Sequence, residues 1–495
     1  MGKVYLIGAG PGDEELITLK GIKALKQCTA VLYDRLAGNG ILSYLNSDCK
    51  IYYCGKKPGC HYKTQDETNT MLLSLAKSGH IVGRIKGGDP YVFGRGGEEG
   101  LLLKVAGIDF EVIPGITSAI SVLNYAGIPV TSRGYAQSFH VFTGKSAQKL
   151  NINWNSAATI EGTLIFLMGL ESIETITSKL MENKMSSDTP CAVIMRGTTS
   201  KQRKVIGVLS DITSKVREAK LESPCIIVVG QVVKLNTDLN WYESKPLFGI
   251  NICVTRSKQQ SGSIKDYFLT LGAQVTEINA IKINNTSEAL KEYEKKLGDY
   301  DYLIFTSVNS ENIFFDYLKE NEIDIRTIKA KFAVVGPATE KNLRARGIIP
   351  QIKPEKFAAE GLFSVIKSRV KSGDKILIPC SKKSRNFLGD SLLTTGCSVD
   401  IAHIYDTQKD ETSDLNAFED VDITIFTSPS IVKNMISLVG LEQLKKKKCL
   451  AIGPITEKEL TKNGIKAYVC DNFSNEGIIT KILEIKNNGG FKIVY

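Results

Sequence analysis

The chain reads as an α/β protein of several domains, and three observations predict it. Short apolar strands alternate with stretches of helical spacing, the order that builds layered α/β sheets. Glycine-bearing loops follow the strands, beginning with KVYLIG at 3–8, which runs into GAGPGDEELITLKG. Over the second half the sequence repeats itself at a spacing of ~120 residues. A length of 495 residues fits several domains at about 100–200 residues each.

Taken in order, the strand 3–8 precedes a stretch from Asp13 to Lys26 whose Leu16, Leu19, Ile22, Ala24 and Leu25 fall at helical spacing and predict one helix. Ala30–Tyr33 reads as a strand ending in Asp34-Arg35-Leu36. Residues 51–69 form a polar, glycine-bearing loop that enters a helix at about Thr64. A strand at 81–85 then feeds GRIKGGDPYVFGRGGEE, from Gly83 to Glu99, which holds six glycines in seventeen positions. Glycine this dense leaves little to pack, so the stretch serves a close approach of backbone to a ligand, with Asp89, Arg95 and Glu98 as polar handles. The strand 110–115 and a helix from Ile116 to Ala126 complete this section. A second α/β section starts near Gln137, with strands at 138–143, 163–168, 191–195 and 225–230. Periodicity then disappears across NTDLNWYESKPLF, 236–248, which reads as a linker.

Two nucleotide motifs are tempting and both fail. After Gly8-x-Gly10 a dinucleotide fingerprint needs glycine at 13, where Asp13 stands, and Pro11 removes an N–H from the loop. Gly144-Lys145-Ser146 would need glycine at 139 for a phosphate loop, where Phe139 stands. Neither is a nucleotide site.

Composition excludes further classes. No apolar run approaches the ~18–20 residues that span a bilayer, and the start lacks the pattern of a secretory signal. The eleven cysteines, an odd number without a C-x-x-C pair, point to reduced thiols in a cytoplasm rather than to disulfides or zinc. Cys60-His61 stands without further ligands nearby, so no metal is expected. The net charge of +10 is dispersed, and the run Lys445 to Lys448 reads as a solvated helix end before a strand. Nucleic-acid motifs with interleaved aromatics are absent, and small polyanionic substrates suit the charge better.

In the second half, AVVGPATEKNLRARGI (333–348) and LAIGPITEKELTKNGI (450–465) share eight of sixteen positions. LIFTSVNS (303–310) returns as TIFTSPS (424–430), and INICVTRSK with LGAQVTEINAI echoes loosely in ILIPCSKKS with TGCSVDIAHIY. This spacing is too long for a solenoid. It predicts two related α/β units, each with a Thr-Ser turn and a Gly-Pro-x-Thr turn, and a ligand cleft between them.

Residues 1–235 resemble the uroporphyrinogen-III C-methyltransferases of the tetrapyrrole methylase family. The resemblance runs through GAGPGD (8–13), VLYDRL (31–36), CGKKPGCH with Gln65, KGGDPYVFGRGGEE (86–99), VIPGITSA (112–119), YAGIPVT (125–131), TLIFLMG (163–169), RGTT (196–199) and SPCIIVVGQVV (223–233). Ser132 departs from it, standing where a histidine is expected. The resemblance implies a two-lobed methylase fold that holds S-adenosylmethionine between its lobes. By motif, cofactor contacts fall on Pro11, Gly87, Gly88, Asp89, Val92, Thr117, Ser118, Met168, Gly197 and Ile226. Asp34 matches a proton acceptor and Lys56 a donor, and Arg95 is a third catalytic candidate that steers a propionate or assists proton removal.

Residues 249–495 resemble uroporphyrinogen-III synthase, through VTRS (254–257), FTSVNS (305–310), VGPAT (335–339), IYDT around Tyr405, FTSPS (426–430) and IGPIT (452–456). The resemblance implies two domains, one of about 249–283 with 407–495 and the other of about 286–400. That enzyme closes a linear hydroxymethylbilane into a ring with the last pyrrole inverted. Tyr405 would assist loss of the hydroxyl. Arg256, Thr306, Ser307, Thr339, Thr427, Ser428 and Thr456 would meet the acetate and propionate groups.

Together the two resemblances imply a bifunctional cytoplasmic enzyme. It makes uroporphyrinogen III and methylates it at C-2 and C-7 to precorrin-2, feeding sirohaem or cobalamin. Its partners would be small tetrapyrroles, with neither nucleic acid nor membrane, and it would be a homodimer through the methyltransferase half. A methyltransferase with a non-catalytic porphyrinogen-binding C-terminal module remains an open alternative, as does methylation of another acceptor.

Overall fold

The computed structural model describes residues 2–34, 37–46, 48–55, 64–145, 152–255, 258–280, 282–408 and 415–491. Among them, twenty strands form four five-stranded sheets. The first contains β1 (Lys3–Gly8), β2 (Ala30–Tyr33), β3 (Lys50–Tyr53), β4 (Val82–Lys86) and β5 (Asp109–Ile113), in the order β3-β2-β4-β1-β5. All its pairings are parallel, so the loops after β4, β1 and β5 leave the same edge side by side.

The second contains β6 (Phe139–Thr143), β7 (Thr163–Leu167), β8 (Pro190–Met195), β9 (Arg203–Val208) and β10 (Cys225–Val229), in the order β6-β7-β10-β8-β9. Its β10 runs antiparallel to both neighbours. Sequence reading missed β9, an edge strand whose RKVIGV mixes charge into the apolar run.

The predicted helix from Asp13 to Lys26 is in fact two pieces, a 3₁₀ turn Glu14–Leu16 and a helix Leu19–Leu25. Asp13 caps the first by accepting from Glu15 N, and Thr18 caps the second by accepting from Gly21 N. Two good caps five residues apart divide what apolar spacing alone joins. The helix Gln65–Lys77 begins where expected, because Thr64 and Glu67 form a reciprocal capping box.

The third sheet holds β11 (Asn251–Val254), β12 (Gln274–Glu277), β18 (Ile423–Phe426), β19 (Lys448–Ala451) and β20 (Tyr468–Val469), all parallel, in the order β12-β11-β18-β19-β20. The fourth holds β13 (Lys282–Asn285), β14 (Tyr302–Phe305), β15 (Lys331–Val334), β16 (Lys375–Ser381) and β17 (Ser398–Gln408), in the order β13-β17-β16-β14-β15 with only β13 antiparallel. The first three sheets lie in one compact unit, Met1–Ile278 with Asp414–Tyr495, and the fourth in a second, Asn279–Ser413.

The sequence repeat is a structural repeat. Ser307 after β14 caps the helix Val308–Glu320, and Ser428 after β18 caps the helix Pro429–Val439. Gly336 and Gly453 each precede a helix opened by proline, Pro337–Ala345 and Pro454–Lys462. A serine cap and a proline start recur because each repeat turns from strand to helix at the same two points.

In the first unit the 236–248 stretch is packed rather than free. Trp241 donates to Asn124 O at 3.0 Å, and the Tyr125 ring lies 5.0 Å from Trp241 and 4.5 Å from Tyr242. Gln274 Oε1 accepts from both Ser200 N and Ser200 Oγ, and Lys201 pairs with Asp422 at 3.4 Å. The second and third sheets are thus tied together by polar side chains. Among the described residues no helix is long and apolar enough to cross a membrane, and no cluster of potential metal ligands is present.

Candidate active sites

The first site is built on the loops after β1, β4 and β5. Gly10 and Gly88 exchange backbone hydrogen bonds, at 3.3 and 2.6 Å. A Cβ on Gly8 or Gly115 would overlap the backbone of the neighbouring loop, so only glycine lets the three loops close. Gly88 is different. At φ +70° its missing Cβ would point into space, with Ser118 N at 3.7 Å and Thr117 Cα at 3.9 Å as its nearest neighbours. The result is a bare backbone cradle facing the start of the helix Ser118–Tyr125, which Thr117 caps.

Asp89 holds the cradle's shape. Its carboxylate accepts from Tyr91 N at 2.8 Å and Gly115 N at 3.0 Å, fixing the loop after β4 to the loop after β5. Gly87 precedes it, half-buried, and Val92 is exposed beyond it. Pro11 is half-buried between Gly10 and the Asp13 cap, and Asp13 N donates to Thr198 Oγ1 at 3.1 Å. Gly197 packs so closely on Val122 that a Cβ there would overlap its side chain. Ile226, buried on β10, lies in register between Leu167 and Ile194. Met168, at the end of β7, is 49% exposed.

Backbone strain marks the same region. Phe93, Arg95, Met168, Arg196 and Thr198 all have positive φ without being glycine. The other three described residues of this kind, Lys184, Lys220 and Glu322, directly follow helix C-caps, where the conformation is common. Arg95 is the N-cap of the helix Gly96–Val105, and Phe93, Met168, Arg196 and Thr198 lie outside such C-terminal turns, where strain is characteristic of ligand sites.

Beneath the cradle lies a charged cluster that sequence reading missed. Arg84 and Lys86 alternate on one face of β4, and both reach Glu99, at 3.1 and 2.9 Å. Gln65 donates to Glu99 Oε1 at 3.0 Å, and Asp34 lies 3.9 Å from the Arg84 guanidinium. Glu99 is 0% exposed. Burial, the largest influence, pushes its carboxyl up, but Arg84 and Lys86 with the Gln65 hydrogen bond outweigh it and hold it below the usual range. Burial and then Arg84 lower the Lys86 ammonium, against the pull of Glu99. The signal was available: two cations two residues apart in a strand otherwise apolar.

Of the predicted acid–base residues, Asp34 joins this cluster through Arg84. Arg95 is exposed and pairs with Glu98 at 2.6 Å. Lys56 lies outside the described residues, as does Arg256.

The synthase candidates fall in both units. In the second unit, Tyr405 on β17 is buried, and its hydroxyl lies 3.0 Å from Ser307 Oγ. Burial raises the phenol above its ordinary value, and the Ser307 hydrogen bond opposes that rise. Ser307 also accepts from Ser310 N, Thr306 beside it is half-buried, and Thr339 is buried in the helix after the Gly-Pro turn. In the first unit, Thr427 and Ser428 are half-buried after β18, and Thr456 is buried in the corresponding helix. Thr427 lines a small recess with Val254, Thr255 and Ile264.

Comparison with known proteins agrees with this architecture. Residues 3–213 match the Tetrapyrrole (Corrin/Porphyrin) Methylases, and residues 262–480 match Uroporphyrinogen-III synthase HemD. The porphyrin biosynthesis protein HemD of Ruminiclostridium josui is 34% identical over 494 residues, covering 98% of each chain. The uroporphyrinogen-III C-methyltransferase of Priestia megaterium is 49% identical over 238 residues, 48% of this chain and 100% of that one. A crystal structure of the Thermus thermophilus uroporphyrin-III C-methyltransferase with S-adenosyl homocysteine covers 47% of this chain and 99% of its own at 37% identity, with a TM-score of 0.40. The chain belongs to the family that joins a tetrapyrrole methylase to a uroporphyrinogen-III synthase. It carries both domains.

Proposed function

We propose that the chain is a bifunctional enzyme of tetrapyrrole synthesis: it cyclises hydroxymethylbilane to uroporphyrinogen III and methylates that product at C-2 and C-7 to precorrin-2. The observation that carries the reading is the bare cradle at Gly88, in a chain whose other half is a synthase domain. The residues at the cradle fit S-adenosylmethionine, because a backbone without side chains leaves room for a ligand laid against it. Gly87, Gly88, Asp89 and Val92 would hold it from the loop after β4, and Thr117 and Ser118 from the helix start. Pro11, Met168, Gly197 and Ile226 would close the other sides. When bound, the cofactor supplies a methyl group already activated on a sulfonium, so positioning is most of what the protein contributes.

Asp34 is assigned the proton that leaves the methylated macrocycle, with Lys56 as the proton donor and Arg95 at the substrate's carboxylates. The Arg84 guanidinium, 3.9 Å away, would help to position Asp34. In the synthase half the Tyr405 hydroxyl assists departure of the substrate's hydroxyl, with Ser307 orienting it. Arg256, Thr306, Thr339, Thr427, Ser428 and Thr456 donate to the substrate's carboxylates. Strong acid–base groups are unnecessary there, since hydroxymethylbilane ionises readily and needs chiefly to be folded and shielded.

The methyltransferase is assigned to 1–235, the connection to 236–248 and the synthase to 249–495, split as about 249–283 with 407–495 and about 286–400. The protein is placed in the cytoplasm as a homodimer through its methyltransferase half. One assay tests the reading: purified protein receives hydroxymethylbilane with and without S-adenosylmethionine, and the tetrapyrroles are identified. Formation of the type I isomer alone removes the synthase assignment. Supplied uroporphyrinogen III that gains no methyl group removes the other.

A further inference from the structure

Lys265 lies in the helix Lys258–Thr270, beyond the 236–248 connection, yet its ammonium is 2.5 Å from Glu14 Oε1 in the loop after β1. It also pairs with Glu277 Oε2, at the end of β12, at 2.7 Å. The three side chains are only 14%, 10% and 16% exposed. Glu14 Oε2 is buried and accepts no hydrogen bond, and a Cβ on Gly40 would overlap it. Lys265 is therefore the cation that faces the buried Glu14 carboxyl, which burial pushes up against the pull of Lys265. Burial lowers the ammonium, but Glu14 and Glu277 together outweigh it and hold Lys265 protonated.

Glu14 directly continues the loop that includes Pro11. That loop is fixed at three places. Gly10 is bonded to Gly88, Asp13 is held by Thr198 Oγ1 and by the Tyr125 hydroxyl at 2.7 Å, and Glu14 is held by Lys265. Pro11 and Gly12 are suspended between these points. Two of the anchors belong to the methylase domain; the third comes from the far side of the connection.

We infer that Lys265 is a positioning residue for methyl transfer, contributed by the synthase half to the cofactor loop of the methyltransferase half. The inference rests on the proposed function. Removing the ammonium takes from the buried Glu14 carboxylate the cation that faces it in a nearly dry site. The Glu14 turn then shifts, and Pro11 shifts with it. Such a displacement weakens cofactor binding without touching the tetrapyrrole's proton chemistry. The methyltransferase is thus completed by the polypeptide it is fused to.

The test uses the full-length chain and the variants Lys265→Met, Lys265→Arg, Glu14→Gln and Gln274→Ala. The last cuts the same junction at Ser200 and leaves the Glu14–Lys265 pair in place. Methylation of supplied uroporphyrinogen III is followed against S-adenosylmethionine concentration, and S-adenosylhomocysteine binding is measured at equilibrium. Lys265→Met is expected to raise both the KM for S-adenosylmethionine and the Kd for S-adenosylhomocysteine about tenfold, with kcat and ring closure within about twofold. Lys265→Arg restores both, and Gln274→Ala leaves both unchanged. An unchanged KM and Kd in Lys265→Met, or an equal rise in Gln274→Ala, overturns the inference. Should Lys265→Met not fold, Glu14→Gln decides, because the Lys265–Glu277 pair then remains: a rise supports the inference and wild-type values overturn it. Wild-type protein that binds S-adenosylhomocysteine but does not methylate uroporphyrinogen III would instead refute the proposed acceptor, and the binding comparison would still judge Lys265.

Discussion

Tyr405 Oη and Ser307 Oγ lie 3.0 Å apart, joining the long strand β17 to the cap of the helix that follows β14. Ser307 is simultaneously held by Ser310, so removing the phenol hydroxyl does not strand it. Tyr405→Phe should therefore cost less than ~1 kcal/mol of stability. Ring closure should fall on the order of tenfold, below the ~10²–10⁴ typical of a dedicated general acid. The ratio of type III to type I isomer, measured beside a denaturant midpoint, checks both figures. Full synthase activity in the variant removes Tyr405 from the mechanism.

Gly88→Val places a branched side chain in the one open direction of the cradle and forces it to positive φ. The backbone strain alone is about 1–2 kcal/mol. Methylation should fall by at least about 100-fold as the cofactor is displaced, while ring closure in the same preparation continues. Loss of both activities would show that the cradle supports the fold of the whole first unit.

Glu99→Gln keeps the shape of the cluster but leaves Arg84 and Lys86 buried without their shared counter-ion. The expected loss is ~3–5 kcal/mol at neutral pH, read from urea unfolding. The wild-type carboxyl is held below its usual range. Its stabilisation is thus present above the unfolded value of about 4.3 and is lost as pH falls through the folded one. The variant should lack that acid-side decline. A variant as stable as wild type at pH 7 would mean the cluster is not closed to water.

Glu311 gives the opposite sign. It is fully buried at the start of the helix Val308–Glu320, with Arg346 Nε 3.4 Å from one carboxylate oxygen. Burial pushes the carboxyl up to about 7, against the smaller pull of Asn342 and Arg346. The folded state then holds the proton more tightly than the unfolded chain. Stability is greatest below the unfolded value of about 4.3 and declines as pH rises towards about 7. Glu311→Gln should abolish this decline and stabilise the second unit at pH 8 by on the order of 1–3 kcal/mol. Thermal unfolding at pH 5 and pH 8 separates the two; equal slopes for variant and wild type would contradict it.

Much of the fold could be read from the chain because its strands are short, apolar and punctuated by glycine. The Ala30–Tyr33 strand, the Thr64 helix start and the paired Thr-Ser and Gly-Pro turns all stand where spacing puts them. What escaped depends on partners distant in sequence. Glu98, the polar handle singled out, pairs with Arg95 in the open, whereas Glu99, one place beyond, is the buried anion; only the helix phase distinguishes them. Positive φ at Met168 and Thr198 leaves no mark in residue type. Tyr405 and Ser307 were each legible, but their bond spans 98 positions. Glu14 and Lys265 carried no motif at all.

The third sheet places β11 beside β18, and Asn251 N donates to Asp422 Oδ2 across 171 positions of chain. Between them the polypeptide leaves to form another unit and then returns. During synthesis, β11 must therefore wait for a neighbour not yet made. At ~5–20 residues per second the delay is on the order of ten to thirty seconds, during which one edge of β11 stays uncovered. The methylase residues emerge before this interval, and the fourth sheet is made within it. Lys265 emerges soon after β11, but the sheet that its helix packs on closes only when β18 arrives. The order of translation thus makes the anchor on the Glu14 turn among the last contacts to become permanent, and a chain cut short before β18 would hold its cofactor loop by two points instead of three.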